Sequence, residues 1–378
     1  MRSSPNFSGP VTVEATRLAM RVGALGNGPL TMAPGSRLNV QMDDSVQSFG
    51  PMTNAVTLEG GELAFYAEYH SANMQGPITV ATTGRLTNEW DLRPVTIDGP
   101  VRLLDCSTLM VGGVGTMQLA GPIHVEGLAR IDTQVRHPAG LTGQKPVPIT
   151  GRIVAQSPNA VLDLLGSGDD FRASIEIPTG NTLEIRRWGQ PVPLMVTHAG
   201  QSVSGNGRFV NDATFALGGT LSPGASPGLL TIEGDVTWGP GGIYRWEWDS
   251  TNSQGAGIAW DLLDASQTLN VSATTETPFV LQLVGFDPLG VGSGLTGFDP
   301  FQNQSWTIAT ADQLMGFDRS KFQVDASWFD THAPMPTQAS FSLAAVNNTV
   351  MLVYQVPEPS GLAIILSFAM LAASRRRW

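Results

Sequence analysis

The chain has 378 residues and a formal net charge of −11, with only 14% charged residues against 43 glycines and 26 prolines. That excess of Gly and Pro argues for many turns and short strands, and against long helices or a disordered acidic chain. With Lys145 and Lys321 as the only lysines, no basic footprint exists outside the final arginines, which excludes a nucleic-acid partner.

At the start, Met1–Phe7 (MRSSPNF) lacks the unbroken apolar run of a signal peptide, and from Val11 the sequence alternates like a strand. The expectation is that the chain is truncated, or that its true start and export signal lie upstream.

A short phrase then recurs: Gly-Pro, apolar, any residue, apolar. It occurs at Gly9–Val13, Gly28–Met32, Gly76–Val80, Gly99–Leu103 and Gly121–Val125, and Gly50-Pro51-Met52 begins a sixth that Asn54 breaks. The starting glycines lie 19, 22, 26, 23 and 22 residues apart, a spacing in the range of solenoid repeats. Gly is expected to supply backbone angles closed to other residues, and Pro, which lacks an N–H, to sit at a strand start. The alternation behind them places two side chains on one face and one on the other. Further β-like runs, such as Ser36–Val40 and Leu63–Tyr66, lie between the phrases. A coil of about 22 residues with two or three short strands is the unit of a β-helix, so Gly9 to Gly219 would form nine or ten coils, a rod of about 45 Å. An antiparallel β-sandwich could carry the same phrases, but it would need more hairpin signals than Asp98-Gly99 and a few others supply. Within this region Cys106, the single cysteine, sits near Leu103, Leu104, Leu109 and Met110 and is expected to be buried and inert. One cysteine excludes an intrachain disulfide and a multi-cysteine metal site.

Gly218–Ile232 (GGTLSPGASPGLLTI) reads as two tight corners followed by a strand, and then Ile243–Trp248 (IYRWEW) and Trp260-Asp261-Leu262-Leu263 follow. Over roughly residues 200–275 this resembles autotransporter-like β-solenoid passenger proteins, which implies continuation of the solenoid. From Phe279 the strand-like runs lengthen (Phe279–Val284, Ser305–Ala309, Phe322–Asp325, Ser340–Leu343, Thr349–Tyr354), which suggests a small antiparallel β module capping the open end.

The chain closes with Val356-Pro357-Glu358-Pro359-Ser360, thirteen uncharged residues from Gly361 to Ala373, and Ser374-Arg375-Arg376-Arg377-Trp378. The prolines hold the first part extended. The apolar stretch, carrying Leu362, Ile364, Ile365, Leu366, Phe368 and Leu371, favours a helix of about 20 Å, which is short for a bilayer. Arginines at its end belong on the cytoplasmic side. A buried C-terminal helix would explain neither the arginines nor the terminal position. The order of these parts resembles the PEP-CTERM sorting signal. That resemblance implies recognition of Pro357, Glu358 and Pro359 by an exosortase, a membrane enzyme that cuts near them. It also implies retention through Arg375, Arg376 and Arg377, transient residence in the inner membrane, and a destination at the cell surface or in an extracellular polysaccharide matrix.

Candidate chemistry in the body is sparse. His70, His124, His137, His198 and His332 show no ligand spacing, and His124 occupies the outward slot of its phrase. Asp43-Asp44 and Asp169-Asp170 are adjacent acids, without a calcium-loop pattern around them. No metal or cofactor is expected. Trp246 and Trp248 share one strand face and could stack on sugar rings, or could instead plug the solenoid's end. The resulting expectation is an all-β protein: a parallel β-helix over 1–278, an antiparallel β module over 279–354, and a sorting tail with one hydrophobic helix over 355–378. Its expected function is that of a non-catalytic, exported surface or matrix protein of structural or adhesive kind. The alternatives are a carbohydrate-binding protein and a polysaccharide lyase or hydrolase built on a β-helix.

Overall fold

In each Gly-Pro phrase the apolar pair points inward and the residue between them outward. Leu30, Val56, Ile78, Val101, Ile123, Ile153, Ile175, Val203 and Leu221 are all buried and stack in direct register, each opposite the next. The computed structural model describes residues 8–21, 26–41, 51–67, 71–89, 93–135, 147–166, 171–224, 227–249, 254–285, 298–332 and 335–357.

These residues wind a parallel β-helix with three faces. The first is a 13-stranded sheet that takes one strand from each coil. Its strands run Val11–Val13, Leu30–Met32, Val56–Leu58, Ile78–Val80, Val101–Leu103, Ile123–Val125, Arg152–Ala155, Ser174–Ile177, Ser202–Gly205, Thr220–Pro223, Ile243–Trp248, Phe279–Gly285 and Phe322–Asp325. At about 4.8 Å per coil the twelve steps make a rod of about 58 Å. A second face follows the first corner of each coil, for example Arg37–Gln41, Glu62–Tyr66, Thr83–Asn88, Thr108–Gly113 and Leu128–Val135, again all parallel. The third face is built from shorter pieces, among them Ala72–Met74, Val95–Ile97 and Met117–Leu119, extended by single bridges from Leu119 to Ile149 and from Ile149 to Phe171. One continuous apolar core fills the interior. Each fully buried Ile, Leu or Val in it contributes about 1.5–3 kcal/mol.

The glycines of the repeat work differently from the expectation. Gly28, Gly76, Gly99 and Gly121 do not adopt positive φ. They sit where one coil's corner rests on the backbone of the coil before. A Cβ on Gly99 would overlap the Gly76 carbonyl oxygen, and one on Gly121 the Gly99 oxygen, with Gly28 over Gly9 and Gly151 over Gly121 in the same way. Close approach, not unusual backbone angles, is what excludes a side chain here. The phrase expected at Gly50 also shifts. Val56 lies opposite Leu30 and Ile78, so Asn54-Ala55 occupies the Gly-Pro slot, and Met52 belongs to the third face. Asn54 turns its buried amide inward and donates to the carbonyls of Gly28 (2.7 Å) and Gly26 (3.1 Å).

Cys106 is exposed, against expectation. Leu103 and Leu109 point into the core, but Cys106 lies at the corner between their strands with φ 60°, where its side chain faces outward.

The parallel ladder passes Phe279 unbroken, through Phe279–Gly285 and Phe322–Asp325 on the first face. At the C-terminal end the pairing turns antiparallel where Thr349–Gln355 lies against Gln304–Met315, and Ser340–Val346 then pairs with Thr349–Gln355. This hairpin forms the small antiparallel module and covers a sheet edge at the C-terminal end. Among the described residues the one α-helix is Ser327–His332, and no helix is long and apolar enough to cross a membrane. The hydrophobic segment of the tail lies outside the described residues.

The glycine seats give a direct test. Gly99→Ala forces the Gly76 carbonyl and the Gln75 backbone to move and is expected to cost about 1–3 kcal/mol. Thr79→Ala, on the outward side of the neighbouring coil, should stay within about 0.5 kcal/mol of wild type. Chemical denaturation of both variants checks the contrast.

Candidate functional site

Trp246 and Trp248 lie on the inward side of Ile243–Trp248 and are 0% and 4% exposed. Trp248 stacks on Phe329 with ring centroids 6.1 Å apart, and both tryptophans pack against Trp306. Phe298, Phe341 and Tyr354 complete the cluster, which joins the last coils to the antiparallel hairpin. With no ring face in solvent, the Trp246–Trp248 pair cannot stack on a glycan; it belongs to the plug at the solenoid's end.

Beside this plug is the most strongly perturbed carboxyl group among the described residues. Asp261 is wholly buried; its Oδ1 accepts from Gly228 N–H (2.8 Å) and its Oδ2 from Glu247 N–H (2.9 Å). Its own carbonyl accepts from Trp246 Nε1 (2.9 Å). Asp261 thus ties the second of the two glycine corners to the Trp-bearing strand of the first face. Burial pushes its carboxyl well above the usual carboxylate range, and two backbone donors offset part of that.

The predicted polar sites do not converge. His124 projects from the first face, where its Nδ1 lies 3.0 Å from Gln156 Nε2, and burial, helped by Arg152, lowers its pKa. His198 is exposed at a corner of the third face. His332 ends the short helix, and His70, His137, Asp43-Asp44 and Asp169-Asp170 lie outside the described residues. Among the described residues no three His, Cys, Asp or Glu side chains form a metal-binding group. Many acids of the outer faces are paired with arginines: Arg102–Glu126, Arg130–Asp163, Arg152–Glu176 and Arg208–Glu233 between coils, and Arg245–Glu247 within one strand.

A concave feature that sequence reasoning missed lies at the break in the third face. On the second face Thr182–Arg187 does not pass directly to the third face. It turns back through Trp188-Gly189 into an antiparallel pairing with Gln190-Pro191. Both turn residues have positive φ, 54° at Trp188 and 74° at Gly189, as a type I′ turn requires. Gly189 N–H donates to Asp163 Oδ1 (3.0 Å), which fixes the turn to the preceding coil. Among the described residues no ladder joins Phe171 to the next third-face strand, Leu194–Val196. A cleft of about 610 Å³ opens at that break. Its walls include Phe171, Ile185, Arg187, Val192, Met195 and His198. On the second face, where the ladder to the following coil ends at Leu183 and Phe209, Asn211 of that coil bonds both the N–H and the carbonyl of Ile185 (2.7 and 2.8 Å). A Trp-Gly pair between β-like runs was the available signal, but it lacks the Asn or Asp that marks such turns in sequence.

The chain leaves the closed end of the rod at Val356, whose N–H donates to Asn303 Oδ1 (2.8 Å), and Pro357 is exposed. Glu358, Pro359, the apolar stretch from Leu362 to Leu371 and Arg375–Arg377 lie outside the described residues. Comparison of the sequence with protein-family models and with curated proteins returns no match.

The Asp261 clamp yields a prediction with a defined sign. Asp261→Ala leaves two buried N–H groups unpaired and is expected to cost about 1–3 kcal/mol for each. A folded pKa raised above the unfolded value contributes stability that is full below the ordinary carboxylate range and fades as pH rises through the raised value. The stability difference between wild type and Asp261→Asn should therefore shrink as pH rises above the ordinary carboxylate range. Paired denaturation curves across that range measure it; a difference that grows with pH would mean the carboxyl is held ionised.

Proposed function

We propose that this chain is a non-catalytic, exported structural or adhesive protein of the cell surface or extracellular matrix, sorted through its C-terminal tail. The observation that carries the proposal is the order of parts from Val356 to Arg377: Pro-Glu-Pro, an apolar stretch and three arginines. On this reading Pro357, Glu358 and Pro359 are recognised by an exosortase. The segment from Leu362 through Ile364, Ile365, Leu366 and Phe368 to Leu371 holds the chain in the inner membrane, and Arg375, Arg376 and Arg377 keep its end in the cytoplasm.

The body is compatible with that role. A β-helix is a stiff spacer whose stability is a sum of coil-to-coil contacts, so it can present surface at a distance without catalytic machinery. The last described residues run past Asn303, which accepts from Val356 N–H at the capped end of the rod. A lyase or hydrolase would call for carboxylates gathered in a groove. The described walls of the cleft are instead mainly apolar, with Arg187 and His198.

Residues 350–378 fused to a secreted reporter should be retained at the membrane and then cleaved in a host that has an exosortase, and retained uncut in a host without one. Replacing Pro357 and Pro359 by alanine should abolish cleavage. Identical handling of the altered and unaltered tails would refute the sorting assignment.

A further inference from the structure

We propose that the break in the third face is a slot for an extended peptide strand of a partner, with apolar residues at alternate positions, which completes the ladder the chain itself leaves open.

The backbone carries the argument. Elsewhere on the third face an inward residue donates its N–H to the following coil: Ala72 to Pro94 C=O (3.1 Å), Val95 to Thr116 C=O (3.0 Å), Leu119 to Pro148 C=O (3.0 Å) and Leu194 to Asp212 C=O (2.8 Å). At Phe171 the pattern stops. Its bridge to the preceding coil runs through Arg172 N–H and the Ile149 carbonyl (2.9 Å). Successive residues of a strand turn their N–H and C=O groups to opposite sides. Arg172 faces the preceding coil, so the N–H and C=O of Phe171 face forward. Leu194 and Val196 bond the following coil, the latter by accepting from Ala216 N–H (3.0 Å), so the N–H and C=O of Met195 face back. The bonds that would close this rung, Phe171 N–H to Pro193 C=O and Met195 N–H to Phe171 C=O, are not made. Two strand edges therefore look at each other across the cleft, with donors and acceptors unpaired among the described residues.

The side chains suit a strand as well. Leu164 and Ile185, core residues 4% and 3% exposed, wall the cleft, while Met195 is 51% exposed. A strand sends successive side chains to opposite faces. An incoming one sets an apolar residue against Leu164 and Ile185 and leaves its neighbours in solvent. The cleft, about 610 Å³, is within the size range of ligand sites.

The unpaired backbone selects the ligand. An acyl chain would cover the apolar walls but leave the Phe171 and Met195 groups without partners, at a cost comparable to lost hydrogen bonds. A peptide strand satisfies both walls and edges, drawing affinity from main-chain bonds and specificity from alternate side chains.

Calorimetric titration of the full chain with acetyl-Pro-Val-Thr-Ile-Asp-amide tests the assignment; this peptide copies Pro94–Asp98, which contains a strand of the same face. The comparison probes are dodecanoate and the same peptide N-methylated at its threonine and isoleucine, which keeps the side chains and removes two donors. Met195→Pro deletes a cleft-facing donor that no bond of the fold uses, at an edge where proline is accommodated, and Met195→Ala keeps that donor. The unmodified peptide is expected to bind the wild-type chain, and the methylated peptide and dodecanoate to bind at least about tenfold more weakly. Met195→Pro should weaken the peptide about fivefold with the melting temperature unchanged, and Met195→Ala less than about twofold. If Met195→Pro lowers the melting temperature, the methylated peptide decides the matter. Equal binding of the two peptides, tighter binding of dodecanoate, a folded Met195→Pro chain that binds like wild type, or no peptide binding by the wild-type chain would overturn the proposal.

Discussion

The structure depends on the contact between successive coils. Each coil hydrogen-bonds its backbone to the next in parallel register, and at the corner before the first face the chain comes so close to the previous coil that only glycine fits at Gly28, Gly76, Gly99 and Gly121. Close seating keeps the inward residues in direct columns, and those columns build the core. A side chain at the seat would lift one corner from its neighbour and disturb the registers on both sides of it. Asn54 is instructive here. It takes a glycine slot only because its amide turns inward and is satisfied by the Gly26 and Gly28 carbonyls.

Features other than plain stacking arise where this contact is interrupted or ends. At the Trp188 hairpin the chain makes an excursion, the third face breaks, and on the second face the Asn211 side chain bonds Ile185 beyond the last ladder pair. At the C-terminal end the stacking stops, and the antiparallel hairpin, the Trp-rich cluster and the Asp261 clamp cover what would otherwise be unpaired edges and exposed core. The cleft and the cap are thus two answers to the same problem: the cap closes the interruption, and the cleft leaves it open.

The solenoid was legible in the sequence because its determinants are local. Val11-Thr12-Val13 and Ile78-Thr79-Val80 show which way side chains point, and the regular spacing of Gly-Pro shows that coils repeat. The reason for the glycines was not legible, because the atom that excludes a side chain at Gly99 belongs to Gly76, a full coil away. Cys106 misled for a related reason: apolar neighbours describe the strands on either side, while the residue itself sits at the corner between them. The change of rhythm at Phe279 reflected longer strands, whose parallel partners lie in the adjacent coils but far along the sequence, so pairing direction could not be read from it. The candidate cleft was hidden most completely. It is formed by residues from Phe171 to His198 that lie in different coils, around a Trp-Gly turn of unusual composition.

Parallel stacking makes outward residues at equivalent positions a ruler. Thr12, Thr31, Thr57, Thr79 and Arg102 occupy successive rungs of the first face, and the same column reaches Ser222. Spin labels introduced at Thr12 and Arg102, and separately at Thr12 and Ser222, with Cys106 replaced by serine, measure it by dipolar spectroscopy. The account predicts separations of about 19 Å and about 43 Å, growing in proportion to the four and nine coil steps between the labels. Separations that fail to grow with coil number, as a folded-back β-sandwich would give, would contradict it.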